Sequence, residues 1–284
     1  MAIARVSIPS TSANLGPGYD AMGIALNFRN TVTVEHLATG APPQATAPMI
    51  RTAGEAFFKH ARCRPFPYKW DISGPVPRSR GLGSSVIVRL GILHGLNTLA
   101  GTPLSREKLF EICSELEGHP DNAAPASFGG FTLCAPAMAI QRYPIASRLK
   151  FILFIPETEI LTSAARKILP KQIPLKKAVA SAAHAAAIAG AFAGKKYEML
   201  AGGFADEFHQ PHRAKLMPFL DKAIAVGTQA GALGGWLSGS GSTIAFATLN
   251  DTKKILTALA KQFSNMPHTL RAVPADNRGV LVKK

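Results

Sequence analysis

Hydrophobic and polar residues alternate in two segments near the start of the chain. Both Ile3–Ile8 and Asn30–His36 show the period-two pattern that is typical of half-buried strands. Residues 10–26, with the sequence STSANLGPGYDAMGIAL, separate them, and Gly16, Pro17, Gly18 and Gly23 predict a loop there. The chain therefore begins with two strands joined by a glycine-rich loop.

Apolar residues then recur at helical spacing. This spacing predicts helices over Glu55–Ala61, residues 86–101 and Leu104–Leu116, the last with Ser105 as its N-cap. A Gly/Pro-rich loop, SGPVPRSRGLGSS at residues 73–85, precedes the second helix. The composition of Thr39–Pro48 predicts a surface connection.

Near residue 150 the predicted elements change, from a region that begins with strands to one in which helices predominate. Leu149–Ile155 reads as a buried strand that Pro156 ends. Residues 234–249 (GGWLSGSGSTIAFATL) predict a strand, a tight turn and a further element, and RGVLV near the end predicts a closing strand. Helices are predicted over Leu161–Leu169, Ala178–Gly194, Lys195–His209, Met217–Ala230 and Asp251–Phe263. The fold class is therefore α+β, in two domains that we expect at 1–148 and 149–284.

Composition narrows the class of protein. Of 284 residues, 47% are hydrophobic and 17% are charged, which suffices for a substantial core. Three cysteines without CxxC spacing favour a reducing compartment, and we find no signal-peptide pattern. We therefore expect a folded cytoplasmic protein that is neither secreted nor inserted into a membrane.

The chain is strongly basic. It has 32 Lys and Arg against 17 Asp and Glu, a formal charge of +15. These residues are spread along the sequence, and no nucleic-acid recognition motif accompanies them. The charge favours small anionic ligands over nucleic acid as partners.

The loop before residues 86–101 is a candidate phosphate site. Gly81 and Gly83 let the backbone approach a ligand, and Ser84 and Ser85 fall at the start of the helix, where free N–H groups attract anions. The Ser hydroxyls suit a phosphate contact and a Mg²⁺ ligand. The segment matches neither a Walker A loop nor GxGxxG, so a purely structural turn with serine caps remains an alternative.

Two further loops carry polar side chains. Residues 9–20 (PSTSANLGPGYD) place short polar groups and Asp20 around a turn, which suits a small polar ligand with an amine. Residues 238–243 (SGSGST) repeat the phosphate-loop composition. Each loop alone is also explained as a structural turn.

Six segments, taken in order, resemble the signature of the GHMP kinases, and within that superfamily the homoserine kinase family. The segments are PSTSANLGPGYDAMG (9–23), GLGSS (81–85), ELEGHPDNAAPASFGG (115–130), TSAARKILP (162–170), DEFHQPHRAKLMP (206–218) and LSGSGST (237–243). The resemblance implies a ribosomal-S5-like N-terminal domain, a ferredoxin-like C-terminal domain and a nucleotide cleft between them. It also implies ATP- and Mg²⁺-dependent phosphorylation of the side-chain hydroxyl of L-homoserine in threonine biosynthesis.

The resemblance further assigns roles to individual residues. Ser85 and Glu117 hold the metal, and Glu117, Asn122 and Thr162 are catalytic. Asn14, Asp20 and His119 contact the amino acid, and Arg166 and Arg213 grip its carboxylate. ATP is bound by Pro77, Arg80, Gly81, Leu82, Gly83, Ser84, Ser85, Ser238, Gly239 and Gly241.

The chemistry of these residues agrees with that assignment. A small amino acid carries one cation, one carboxylate and one hydroxyl, and Asp20, the two arginines and Asn122 complement them. Phosphoryl transfer depends on positioning and charge neutralisation, so a strong base is not compulsory, and His119 and Asp121 stay open as proton acceptors.

Two alternatives remain at this point. One is a GHMP kinase for another small hydroxylated metabolite, such as threonine or a sugar. The other is a GHMP-fold protein that binds a metabolite without catalysis. We expect a homodimer, because symmetric dimers are the commonest oligomers of soluble proteins.

Overall fold

The computed structural model describes residues 2–38, 44 and 47–283, whose strands form two antiparallel sheets. The strands of the first sheet are β1 (Ile3–Ala13), β2 (Met22–His36), β3 (Tyr68–Ser73), β4 (Phe131–Leu133), β5 (Gln141–Tyr143) and β10 (Leu281–Lys283). Their order is β10-β1-β2-β4-β5, and β3 pairs with the C-terminal end of β2.

Helices cover one face of this sheet. They are α1 (Pro48–Ala61), α2 (Ser84–Leu99), α3 (Arg106–Glu117) and α4 (Ala123–Phe128). The central helix α2 lies very close to β2, because Gly91 and Gly95 leave room for the side chains of Val32 and Val34. This close packing fixes the N-terminus of α2 relative to the sheet.

The strands of the second sheet are β6 (Lys150–Pro156), β7 (Gly234–Leu237), β8 (Ile244–Thr248) and β9 (His268–Pro274), in the order β7-β8-β6-β9. The helices of this part are α5 (Thr162–Lys167), α6 (Leu175–Ala193), α7 (Gln210–Arg213), α8 (Leu220–Gln229) and α9 (Thr252–Gln262). With α8 and α9, the four strands form the β-α-β-β-α-β arrangement of a ferredoxin-like fold. The α+β class and this fold are confirmed.

The chain returns to the first sheet after β9. β10 pairs with β1, and the buried carboxylate of Asp276 forms an ion pair with Arg29 of β2. Asp276 also accepts hydrogen bonds from the backbone N–H groups of Arg278 (2.8 Å) and Gly279 (2.9 Å). The segment after β9 thus ties the two sheets together.

Most predicted elements are present, with differences in their bounds. α2 begins at Ser84 as expected, and Ser105 caps α3 by accepting a hydrogen bond from the N–H of Lys108. Residues 10–13 belong to β1, and residues 22–26, with Gly23, belong to β2 rather than to a loop. α1 begins at Pro48, well before Glu55. The surface connection expected at Thr39–Pro48 lies largely outside the described residues.

The helix expected over Lys195–His209 is wrong. The segment holds one short 3-10 turn, Tyr197–Leu200, followed by Gly202 at a φ of +76°. The carboxylate of Asp206 then accepts hydrogen bonds from three successive backbone N–H groups, which fixes the turn that leads into α7. The helix expected from Met217 begins instead at Leu220. Within the described residues, no helix combines the length and apolar character needed to cross a bilayer.

Candidate active site

A cavity of about 510 Å³ lies where the glycine-rich loops of the two sheets meet, and this volume is typical of a small-molecule site. The side chains that line it come from the β1–β2 loop, the start of α2, the α3–α4 connection, α5 and the β7–β8 loop. Among the residues with an expected role, those lining the cavity are Asn14, Asp20, Gly81, Gly83, Ser84, Ser85, Glu117, His119, Asn122, Thr162, Arg166, Arg213 and Gly239. Pro77, Arg80, Leu82, Ser238 and Gly241 do not line it.

The loop before α2 has the conformation of an anion-binding turn. Gly81 and Gly83 both adopt left-handed φ values, +70° and +69°, and Ser84 opens the helix directly afterwards. A Cβ on Gly83 would collide with Oγ1 of Thr11, and one on Gly81 with the carbonyl of Ser238. The glycines are thus required by packing within the protein, and not by clearance for a ligand alone.

The β7–β8 loop packs onto this turn. Ser238 donates a hydrogen bond from Oγ to the carbonyl of Gly81 (2.6 Å), and Thr243 N–H donates to the carbonyl of Arg80 (3.2 Å). The Arg80 side chain leaves the cavity: it donates to the carbonyl of Pro156 (3.0 Å) and pairs with Glu159 (3.1 Å). Ser238 and Arg80 therefore shape the loops that face the cavity without lining it.

An acidic group and a hydroxyl meet beside the helix start. Ser85 Oγ donates a hydrogen bond to Glu117 Oε2 (2.9 Å), and Nη1 of Arg89 lies 2.7 Å from the other oxygen, Oε1. Glu117 ends α3, and only 8% of its side chain is exposed. Hydroxyl and carboxylate oxygens are the ligands that Mg²⁺ prefers, so Ser85 and Glu117 fit a divalent cation.

A second cluster of charges lines the same cavity. Within the described residues no hydrogen bond or ion pair joins it to Ser85, Glu117 or Arg89, and we call the two groups the two ends of the cavity. Asp20 accepts two hydrogen bonds from Arg166, from Nη1 (3.0 Å) and Nη2 (2.8 Å). Arg166 Nη1 also donates to the hydroxyl of Tyr19 (3.0 Å). Burial lowers the pKa of Arg166, but the hydrogen bonds and charge of Asp20 outweigh it, and the net pKa is raised.

Arg213 is buried beside this pair. Its Nε donates to the carbonyl of Ala165 (3.1 Å), and its Nη1 donates to the carbonyl of Gly239 (2.9 Å) and to Nδ1 of His209 (3.2 Å). Burial lowers the pKa of His209 to about 4, so its ring is neutral and Nδ1 accepts that bond while Nε2 donates to Gly16. Within the described residues, Nη2 of Arg213 has no hydrogen-bond acceptor, and the arginine lines the cavity.

The α3–α4 connection supplies the polar groups between the two ends. Asp121 accepts hydrogen bonds from His119 Nδ1 (2.6 Å) and from Asn122 N–H (2.9 Å), and Asn122 Oδ1 accepts one from Thr11 (2.7 Å). Burial lowers the pKa of His119, but the hydrogen bond and charge of Asp121 raise it more, and the net pKa is above 6.5. Thr162 also lines the cavity, with Oγ1 3.3 Å from Oγ of Ser240.

The sequence does not predict several residues that line the cavity or contact its lining residues. Tyr19 contacts both arginines: their guanidinium carbons lie 5.7 Å (Arg166) and 5.3 Å (Arg213) from its ring centroid. Near the start of α2, an apolar wall suits a flat ring, and its members are Ala47, Met49, Ile50, Trp70, Ile72, Val88 and Leu116. The wall is assembled from α1, β3, α2 and α3. The sequence predicts helices and a strand pattern separately, and it does not predict that their apolar residues meet at one surface.

Two family models and several curated proteins match most of the chain. Residues 48–130 match the model of the GHMP kinase N-terminal domain, and residues 185–265 match that of the GHMP kinase C-terminal domain. The homoserine kinase of Aquifex aeolicus is 33% identical, with 98% of this chain and 99% of the relative covered. A homoserine kinase of Thermus thermophilus is 36% identical, with 92% of each covered.

Solved structures share the fold. The homoserine kinase of Cytophaga hutchinsonii superposes with a TM-score of 0.89 at 24% identity, over 99% of this chain and 97% of that one. The mevalonate kinase of Methanococcus jannaschii gives a TM-score of 0.73 at 14% identity, over 95% of this chain and 98% of that one. With matches to both domain models and relatives above 30% identity over almost the full length, the chain belongs to the homoserine kinase family of the GHMP kinase superfamily.

Proposed function

We propose that the protein transfers the γ-phosphoryl group of ATP to the side-chain hydroxyl of L-homoserine, giving O-phospho-L-homoserine for threonine biosynthesis. One observation carries the proposal: a single cavity has an anion-binding helix start with Ser85 and Glu117 at one end, and Asp20 with Arg166 and Arg213 at the other. The first end suits a metal-bound triphosphate, and the second suits an amino acid.

The nucleotide is assigned to the start of α2. Backbone N–H groups of the GLGSS loop and the positive end of the helix dipole favour phosphate there, and the apolar wall that includes Ile50 and Trp70 accommodates the base. Mg²⁺ would be held by Ser85 and Glu117, and it would neutralise phosphate charge when bound. This assignment explains why an acidic side chain lies beside an anion site.

The amino acid is assigned to the Asp20 end. Its ammonium group would pair with Asp20, and its carboxylate would accept hydrogen bonds from Arg166 and from Nη2 of Arg213. Asn14 supports this arrangement, because its Oδ1 accepts a hydrogen bond from the N–H of Asp20 (3.1 Å) and its Nδ2 donates to Gly239 (3.1 Å).

The acceptor hydroxyl would then lie between the two ends, near Asn122 and Thr162. Oδ1 of Asp121 accepts hydrogen bonds from His119 and from the N–H of Asn122, which favours a positioning role for Asp121 over that of a base. Positioning and charge neutralisation suffice for a loose phosphoryl-transfer transition state, so no residue is assigned as a strong base.

A coupled ADP-release assay tests the proposal. Homoserine, threonine, serine, mevalonate and galactose are compared at saturating Mg–ATP, and the phosphorylated product is identified by ³¹P NMR. We expect the highest kcat/KM with homoserine, since the other compounds lack either the zwitterion or the position of its hydroxyl. A higher kcat/KM with another acceptor, or no turnover by protein that is folded and binds ATP, would contradict the assignment.

A further inference from the structure

Arg89 is in an unusual position for a charged residue. It is the sole formally charged side chain of α2, a helix whose other residues are apolar, small or uncharged. It lies four positions after Ser85, so both side chains project from the same face of the helix. Its side chain is 16% exposed and lines the cavity, although no role follows for it from the reaction described above.

Glu117 also needs a cation. It is the last residue of α3, where the negative end of the helix dipole disfavours a carboxylate, and its side chain is 8% exposed. A mostly buried carboxylate is stable as an anion only when it is paired. Arg89, 2.7 Å from Oε1, supplies that charge, while Ser85 occupies Oε2.

The two oxygens of the proposed metal ligand are held differently: Oε2 accepts the hydrogen bond of Ser85, whereas Oε1 has the charge of Arg89 at 2.7 Å but no hydrogen-bond donor within the described residues. We propose that Arg89 is a positioning residue that serves as the resident counter-cation of Glu117 and competes with the divalent metal for it. This inference rests on the proposed function for the metal role of Glu117.

The competition has a consequence for the order of binding. A metal ion alone would have to separate Glu117 from Arg89 and leave a largely covered guanidinium without a partner. A metal that arrives with a nucleotide brings phosphate oxygens into the same cavity, and these accept the guanidinium. Arg89 thus selects the metal–nucleotide complex over the free metal ion.

Mn²⁺ provides a direct probe, because its EPR signal measures free metal without any turnover. Mn²⁺ binding is titrated with the wild-type protein and with Arg89→Met, each with and without ADP. We expect Arg89→Met to bind Mn²⁺ alone about tenfold more tightly, since no cation competes for Glu117, and to show a smaller enhancement by ADP. Arg89→Gln repeats the test if the methionine variant does not fold, and circular dichroism monitors folding.

Arg78→Met is the matched control. Arg78 lines the same cavity, and no ion pair joins it to Glu117 within the described residues, so it reports the general effect of removing one positive charge. An Mn²⁺ affinity of Arg89→Met that equals that of Arg78→Met, or falls below that of the wild type, would overturn the inference.

Glu117→Gln separates the two proposals. If Glu117→Gln loses Mn²⁺ binding while both arginine variants resemble the wild type, the metal assignment stands and the role of Arg89 fails. If Glu117→Gln binds Mn²⁺ as well as the wild type does, the metal assignment itself fails, and the role of Arg89 fails with it.

Discussion

Replacing Arg166 with alanine tests the amino-acid end of the cavity most cleanly. Within the described residues, the Arg166 side chain forms hydrogen bonds only with the side chains of Asp20 and Tyr19. Arg213 also holds two backbone carbonyls, and its removal would disturb α5 and the β7–β8 loop. A charge-assisted hydrogen bond is worth ~1.5 to 3 kcal/mol. Because the Arg166 side chain is 38% exposed, we use the lower end of that range.

About 1.5 kcal/mol corresponds to roughly a tenfold rise in the homoserine KM for the loss of one such bond. The ATP KM should stay close to the wild-type value, because within the part of the chain that the structure describes no hydrogen bond or ion pair joins Arg166 to Ser85 or Glu117. Arg166→Lys should also be impaired, since one ammonium group cannot reproduce the two parallel donors that the guanidinium offers.

Initial rates measured with each substrate varied in turn give both KM values. Lys167→Ala is the matched control, because it removes an exposed cation from the next position of the same short helix. An unchanged homoserine KM in Arg166→Ala, or an ATP KM that rises by the same factor, would refute the placement of the substrate carboxylate.

Three further outcomes are expected. Gly83→Ala should lower the free energy of unfolding, measured in urea, more than Gly101→Ala does. Both glycines have positive φ, but a Cβ at Gly83 would collide with Thr11, whereas no atom of the described residues lies within 4 Å of a Cβ at Gly101. Equal losses of unfolding free energy would contradict this packing argument. Tyr19→Phe should raise the homoserine KM about fivefold at an unchanged ATP KM, because Arg166 loses the hydroxyl that accepts a hydrogen bond from Nη1 and so orients its guanidinium. Unchanged KM values would exclude a role for the Tyr19 hydroxyl. Burial lowers the pKa of His209 to about 4 in the folded protein, from 6.5 ordinarily, so the unfolded chain binds more protons between these pH values and the free energy of unfolding should fall as the pH falls from 6.5 to 4. Urea titrations across that range should show a weaker pH dependence for His209→Gln. A pH dependence identical to that of the wild type would contradict the lowered pKa of His209.

The sequence predicts best what depends on local pattern. The helix start at Ser84 and the cap at Ser105 follow from short-range rules, and both are present. The direction of a side chain is harder to predict from the sequence when its partners belong to distant elements. Arg80 belongs to a phosphate-loop sequence, yet the carbonyl of Pro156 and the carboxylate of Glu159, both more than seventy residues away, draw it out of the cavity.

Tyr19 and Arg89 were missed for a related reason. Beside Asp20, Tyr19 reads as a loop aromatic, and its importance appears only when α5 and α7 bring two arginines against it. Arg89 reads as an ordinary charge on a helix until the end of α3 places Glu117 opposite it. Pairings of this kind are set by the packing of elements, which a single sequence does not specify.

The pairing of β10 with β1 also bears on how the chain folds. Arg5 lies opposite Lys283, so this contact joins residues from opposite ends of the described chain, and its formation is entropically slow. During synthesis the β1 edge that pairs with β10 stays open until Leu281–Lys283 have left the ribosome. The nascent protein therefore carries an open edge strand that can pair with other chains, and closure of this edge is the step that ends its exposure to aggregation.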